Sequence, residues 1–207
     1  MPSIRAQARV ARGCIVALVA TCFTLGPVSR LAAQPAVAAD GVFTIAEGTL
    51  ALEAPAGWTR VQPKSGIVET EFAIPSEGAG ADGEPLPAGR MTVMGAGGTV
   101  EANVERWYGQ FDQPDGAATK DKASTKTLKI AGRDVTLVDV SGTYKDSPGG
   151  PFAGGKTILR PSYRMLAAIV VGPQGSYFLK FYGPAATVEK HADGFRKMVE
   201  GMVPASK

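Results

Sequence analysis

The segment from Arg164 to Val171 places apolar side chains on both faces of a single strand, and this pattern restricts the architectures open to the chain. Side chains alternate between the two faces of a strand. One face carries Met165, Ala167 and Ile169, and the other carries Leu166, Ala168 and Val170. A strand that is apolar on both faces is covered on both faces. The segment therefore predicts a central strand with a layer packed on each side.

Two amphipathic helices can supply these layers. Thr99 is a suitable N-cap for the first helix, which repeats apolar residues at helical spacing: Val100, Val104, Trp107, Tyr108 and Phe111. The second helix follows Gly183 and Pro184 and has its own apolar face: Val188, Ala192, Phe195, Val199 and Met202. We expect an α+β protein, a single-domain α/β/α sandwich with a mostly antiparallel sheet.

Short runs bounded by turn residues predict the remaining strands. In the first half these are residues 42–46, 50–54, 58–62, 67–74 and 91–94, which we expect to form an antiparallel meander. In the second half they are 125–130, 133–144, 163–171 and 176–182, with the clearest hairpin turn at 172–175.

The order of these elements resembles the PsbP/Mog1-like fold over most of residues 40–203. The resemblance includes an early Phe43-x-Ile45 strand, the Pro55-x-Gly57-Trp58 turn, a middle helix and a C-terminal helix. The residues 163–166, 177–180 and 183–184 are also similar to a group of uncharacterised exported bacterial proteins. The resemblance implies this fold, and members of the fold class act mostly by binding.

Residues 1–38 have the layout of a secretory signal peptide. Arginines precede an apolar run from Cys14 to Leu25, and Ala36-Val37-Ala38 offers a small-residue cleavage site. We expect cleavage near Ala38, leaving residues 39–207 as one domain outside the cytoplasm, in the periplasm, the cell envelope or the extracellular space.

Two other interpretations of the amino terminus stay open. Val19-Ala20-Thr21-Cys22 resembles a bacterial lipobox, which predicts a lipid anchor on Cys22. An uncleaved anchor is the other alternative, although the apolar run is shorter than the ~20 residues that span a bilayer. No later segment predicts a membrane span.

Removal of the signal changes the charge of the chain. The whole sequence has 22 basic and 19 acidic side chains, but the first 39 residues contain four arginines and no acid. The mature chain would carry a net charge of about −1 and would lack both cysteines. We therefore expect no nucleic-acid partner, no disulfide and no cysteine metal site.

Two motifs suggest chemistry that their context does not support. Residues 150–157 fit the phosphate-binding pattern G-x-x-x-x-G-K-[ST], yet Pro151 removes an amide donor and Pro161 disfavours a following helix. We predict a flexible loop that binds no nucleotide. His191 is the single histidine, and we predict a boundary position on the last helix. No cofactor is predicted.

Lys180 alternates with Phe178 and Tyr182 on a strand that we expect to be covered, where an unpaired ammonium is costly. Asp139 lies in a similarly apolar strand and is a candidate ion-pair partner. The functional alternative is a polar spot under one helix that binds a small anion or a partner's carboxylate.

Acidic residues form two further groups. Glu69 and Glu71 share one face of a strand, which we interpret as a solvated face; a carboxylate hydrolase would instead need them in a cleft. Glu77, Asp82 and Glu84 lack the spacing of a calcium loop, although weak calcium binding stays an alternative.

Two predicted loops, residues 75–89 and 145–162, are longer than most ordered connections. We place the candidate binding surface beside the second loop and on the neighbouring strand, at Tyr144, Phe152, Tyr163, Arg164 and Lys180. The resemblance, together with the lack of a catalytic constellation, favours a non-catalytic binding or accessory module. The alternatives are an envelope hydrolase and a lipid-anchored protein.

Overall fold

The computed structural model describes residues 41–63, 65–80, 83–147 and 156–206. The predicted signal peptide, Phe152, Asp82 and most of the 150–157 motif lie outside these ranges. Eleven strands and three helices follow one another along the described chain. Their bounds are β1 Val42–Ile45, β2 Leu50–Glu53, β3 Thr59–Val61, β4 Thr70–Ile74, β5 Gly89–Ala96, α1 Val100–Tyr108, β6 Phe111–Asp112, α2 Thr119–Lys122, β7 Ser124–Ile130, β8 Arg133–Asp146, β9 Ile158–Gly172, β10 Gly175–Pro184, α3 Ala185–Glu200 and β11 Val203–Pro204.

The main sheet has eight strands, with β3, β4, β5, β10, β9, β8 and β6 in spatial order and β7 also paired to β8. All of its pairings are antiparallel. Strand β9 lies between β10 and β8, and its residues 165–170 are buried on both faces. The predicted central strand is therefore confirmed.

One helix packs on each face of this sheet. Helix α1 contributes Val104 and Trp107 to a core with Met165 and Ile169, and we call this side the α1 face. Helix α3 contributes Val188 and Phe195, together with other buried residues, to a core on the opposite side, the α3 face. The structure is the α+β sandwich with a mostly antiparallel sheet that the sequence predicts.

The first two strands depart from the predicted meander. Strands β1 and β2 pair with each other, and β2 also pairs with β11 near the C-terminus, forming a separate three-stranded sheet. Their inward residues Phe43, Ile45, Leu50 and Leu52 join the core of the α3 face. This small sheet covers apolar surface that a single helix leaves open.

Local signals set the ends of α1. The Thr99 hydroxyl accepts a hydrogen bond from the Ala102 amide at 3.1 Å, which confirms the predicted cap. The helix ends at Tyr108, and Gly109 closes its last turn. Phe111 therefore lies in β6 and not on the helix face, although it still packs in the core of the α1 face.

The predicted loop 145–162 is shorter than expected, because β8 extends to Asp146 and β9 begins at Ile158. The ladder between these strands changes register between Gly142 and Tyr144. Gly142 has φ +146°, and a Cβ there would lie 2.6 Å from the Asp112 carbonyl oxygen. Glycine therefore allows β6 to approach β8 closely at this β-bulge.

Strand β7 lies at an edge of the main sheet beside β8. Its sequence, STKTLKI, is mostly exposed and includes Lys126 and Lys129. Lysine on an edge strand is a common feature that opposes pairing with another chain.

Candidate functional site

Lys180 lies in β10 on the α1 face, between Phe178 and Tyr182. Its side chain is partly buried. The ammonium donates a hydrogen bond to Gln110 Oε1 at 2.9 Å and lies 5.3 Å from the centroid of the Tyr182 ring. Among the described residues, no carboxylate comes within ion-pair distance of it. A neutral amide and an aromatic ring therefore hold this charge.

Arg90 extends the positive charge along the same face. It binds both carboxylate oxygens of Glu71, through Nε at 2.7 Å and Nη2 at 2.8 Å, and donates from Nη1 to the Tyr182 hydroxyl at 2.7 Å. Its guanidinium carbon lies 5.9 Å from the Tyr182 ring centroid. Glu71 is buried and already neutralises Arg90, so it leaves Lys180 without a negative partner. We call Glu71, Arg90, Gln110, Lys180 and Tyr182 the Lys180 site.

The protonation of Lys180 reflects this setting. Burial, followed by the positive charges of Arg106 and Arg90, lowers the pKa of Lys180 to about 8. Glu71 has the opposite effect on its own partner, since the hydrogen bond to its carboxylate raises the pKa of Arg90 above its ordinary value. The site is thus a positively charged region in which one cation is poorly stabilised.

Three tyrosines border the Lys180 site. Tyr144 stacks on Tyr163 with the ring centroids 6.1 Å apart, and Tyr144 also contacts Tyr182 at 5.3 Å. Burial raises the pKa of all three phenols, so they stay neutral near pH 7. The tyrosines form an aromatic surface with hydroxyl groups that can donate hydrogen bonds.

The candidate surface predicted from the sequence is divided by the sheet. Tyr144, Tyr163 and Lys180 lie on the α1 face, whereas Arg164 lies on the α3 face and Phe152 is outside the described residues. Sequence reasoning missed Arg90 and Gln110 as members of the Lys180 site. In the sequence, Arg90 alternates with Thr92 and Met94, which places these three side chains on one face of a strand. This pattern does not indicate that the strand lies next to β10.

The predicted ion pair between Asp139 and Lys180 is wrong. Asp139 instead accepts two hydrogen bonds from Arg164, at 2.8 Å and 2.7 Å, and Arg196 approaches it to 3.6 Å. Asp139 pairs with Leu166 in the β-ladder, and Leu166 in turn pairs with Phe181, so this row of side chains points to the α3 face. Lys180, one residue before Phe181, points to the other face.

A surface hollow of about 570 Å³ adjoins Arg164 on the α3 face. Its charged groups neutralise one another, because Arg164 bonds to Asp139 and also to Glu189. The balanced charges make this hollow a weaker candidate for an ionic ligand than the Lys180 site.

The interpretation of Glu69 and Glu71 as a shared solvated face is wrong for Glu71. Glu71 is 5% exposed and bound to Arg90, whereas Glu69 is exposed and accepts a hydrogen bond from the Gly95 amide at 3.2 Å. The two carboxylates therefore do not form the pair in a cleft that a carboxylate hydrolase would need.

His191 has the predicted boundary position. Trp58 Nε1 donates to His191 Nδ1 at 3.3 Å, and His191 Nε2 lies 3.9 Å from a Glu77 carboxylate oxygen. The Glu77 amide also donates to the Thr187 hydroxyl at 3.1 Å, so the loop after β4 is attached to α3. No group of three metal-ligating side chains occurs among the described residues.

No family model matches the sequence, and no curated protein does. Several solved structures are similar to it, and three of them are the following. The PA94 protein of unknown function from Pseudomonas aeruginosa has a TM-score of 0.44 and 13% identity, and the match covers 80% of this chain and 97% of that one. Cyanobacterial PsbP from Synechocystis has a TM-score of 0.46 and 10% identity, and the match covers 84% of this chain and 98% of that one. LpqN of Mycobacterium tuberculosis is described as involved in cell envelope biogenesis. It has a TM-score of 0.43 and 12% identity, and the match covers 76% of this chain and 83% of that one.

One of these three structures is thus that of a PsbP-type protein. In the described part of the chain, none of the helices has the length and apolar character that crossing a bilayer requires.

Proposed function

We propose that this chain is an exported, non-catalytic accessory module that binds a small organic anion at the Lys180 site. The observation that carries the proposal is the Lys180 ammonium, which has a neutral amide as its hydrogen-bond acceptor and lies beside a second cation, Arg90. A desolvated charge without a counter-charge is costly, and an anion at this position would offset the cost.

Lys180 and Arg90 both lie close to the Tyr182 ring. Both cations lie within 6 Å of the Tyr182 ring centroid, Lys180 at 5.3 Å and Arg90 at 5.9 Å. Lys180 uses one of its three N–H donors on Gln110, which leaves donors for a ligand. An anion bonded to Lys180 would therefore also feel the field of Arg90.

The proposed export is supported by the signal-like layout of residues 1–38. Intact mass of the native protein tests it. A polypeptide that begins near Ala39 supports cleavage, and a heavier lipid-modified product that begins at Cys22 indicates the lipoprotein alternative. An uncleaved chain contradicts both and indicates the uncleaved-anchor alternative.

Thermal unfolding tests the proposed ligand. The full-length chain is titrated with acetate, benzoate, citrate and phosphate at constant ionic strength. A ligand at 100 times its dissociation constant adds about 2.7 kcal/mol of stability, a shift of several degrees. We expect a shift for at least one anion, loss of that shift in Lys180→Met, and no change in Lys190→Met, which alters an exposed lysine on α3.

The proposed function is wrong if none of these anions stabilises the protein. It is also wrong if Lys180→Met responds as strongly as the unchanged chain, because the bound anion would then lie elsewhere.

A further inference from the structure

We propose that Lys180 is a nucleophilic amine that captures small, negatively charged aldehydes as an imine. This inference rests on the proposed anion site and adds a covalent activity to it.

The first support is the way the amine is held. Its hydrogen bond goes to the Oε1 atom of Gln110, a neutral acceptor, at 2.9 Å. A carboxylate partner would fix the proton on nitrogen, and the described residues supply none within 4 Å. The Tyr182 ring, 5.3 Å from the nitrogen, replaces water on one side. An amine in such surroundings readily gives up its proton and exposes its lone pair.

The second support is the arrangement of like charges. Arg90 is held beside Tyr182 by its bonds to Glu71 and to the Tyr182 hydroxyl, and Arg106 is hydrogen-bonded to Asn103 at 2.6 Å. Burial and these two cations lower the pKa of Lys180 to about 8, so a substantial fraction is neutral at pH 7.5. An ordinary lysine is almost wholly protonated at that pH.

The same cations select the substrate class. Arg106 is exposed and lies near enough to Lys180 to influence its protonation. A carboxylate or phosphate on the incoming aldehyde is attracted mainly by Arg106, because its partner Asn103 is neutral whereas Glu71 offsets the charge of Arg90, and this attraction holds the carbonyl group near the amine. Uncharged aldehydes lack this attraction and should react more slowly.

The step balances without an oxidant or reductant. The Lys180 nitrogen lone pair forms a bond to the carbonyl carbon, and the carbonyl π electrons move to oxygen, which takes up a proton while the nitrogen, now positively charged, releases its first proton. The resulting carbinolamine loses its hydroxyl group as water after a second proton is added. The nitrogen then forms the C=N double bond and releases its own proton, so one water leaves for each imine formed.

The experiment uses 4-formylbenzoate as the probe and cyanoborohydride to trap the imine in the full-length chain at pH 7.5. Peptide mass spectrometry follows each lysine over time. Exposed Lys126 and Lys190 serve as internal controls within the same molecule. We expect Lys180 to be labelled at least tenfold faster than either control, and to react more slowly with uncharged benzaldehyde.

Labelling of Lys180 no faster than Lys126 and Lys190 would overturn the inference, and equal rates with benzaldehyde would overturn the anionic substrate class. Lys180→Arg keeps the cation and removes the amine, so it should lose the fast label and still bind benzoate. Stabilisation by one of the four anions without fast labelling contradicts this inference alone, whereas fast labelling without stabilisation by any of the four anions contradicts the proposed function.

Discussion

Replacing Lys180 by methionine removes an ammonium that no described carboxylate neutralises and keeps a side chain of similar length. We expect Lys180→Met to be more stable than the unchanged chain at pH 7, by roughly 1 to 3 kcal/mol, because a partly buried cation is exchanged for apolar contact. Urea unfolding at pH 7 measures the difference. A loss of stability in this variant would show that the Gln110 hydrogen bond outweighs the cost of burial.

The pH dependence follows from the lowered pKa of Lys180. Between about pH 8 and the ordinary lysine value the unfolded chain binds more protons than the folded one, so stability rises with pH through this window. The difference in free energy of unfolding between Lys180→Met and the unchanged chain should therefore become smaller between pH 8 and pH 10. Equilibrium unfolding of both proteins at several pH values checks this, and a constant difference would contradict the assigned pKa.

Glu71 holds Arg90 and thereby limits the positive charge around Lys180. Glu71→Gln should lower the free energy of unfolding by roughly 1 to 3 kcal/mol at pH 7. This loss is smaller than for a fully buried ion pair, because the Arg90 side chain is 37% exposed and water can solvate its charge. It should also lower the Lys180 pKa further, measurable by NMR. Glu53→Gln, at an exposed position, is the matched control and should leave both quantities unchanged.

At the scale of the elements, Gly142 determines how β6 meets β8. Alanine there would bring its Cβ to 2.6 Å from the Asp112 carbonyl oxygen and would keep a φ of +146°. We expect Gly142→Ala to lose about 2 to 4 kcal/mol of stability and to displace β6, which follows directly after Gln110. Urea unfolding measures the loss. Gly97→Ala, where a Cβ meets nothing within 4 Å, should change little.

The elements with a long periodic pattern were predictable from the sequence, and the short ones were not. The Thr99 cap, the apolar faces of α1 and α3 and the two-sided burial of β9 are local patterns. Strands β6 and β11 have only two residues each, too few for a period to be visible. The pairing of β11 with β2 joins the two ends of the domain, and no local pattern encodes it.

The site depends on pairing between strands, and this explains what the sequence left open. Lys180 and Asp139 both occur in apolar strands, so the sequence permits them to meet. The register of β8, β9 and β10 instead aligns Asp139 with Phe181, and a difference of one residue puts the two charges on opposite faces. The Lys180 site likewise arises because β5 pairs with β10, which brings Arg90 opposite Tyr182.

At the scale of the whole molecule, the two cores share the strand β9. The two tryptophans report them separately, because Trp58 lies in the core of the α3 face and Trp107 in that of the α1 face. We expect both cores to unfold together, since losing one would expose one face of β9 to water. Fluorescence of Trp58→Phe and Trp107→Phe should each give the same midpoint as circular dichroism in the same variant. Separate midpoints would show that one layer melts alone.

The lysines of β7 have a consequence for how copies of this protein behave when they are concentrated. An unpaired edge can template strand addition, the first step toward fibrils. Lys129 is paired with Asp134 at 2.8 Å, so the charge that repels a second copy at this edge is mainly that of Lys126. Lys126→Thr should produce species whose size grows with protein concentration in sedimentation velocity, whereas the unchanged chain should keep a constant size. Strand β7 would then set the protein concentration above which copies of the chain begin to associate through the unpaired backbone groups of this strand.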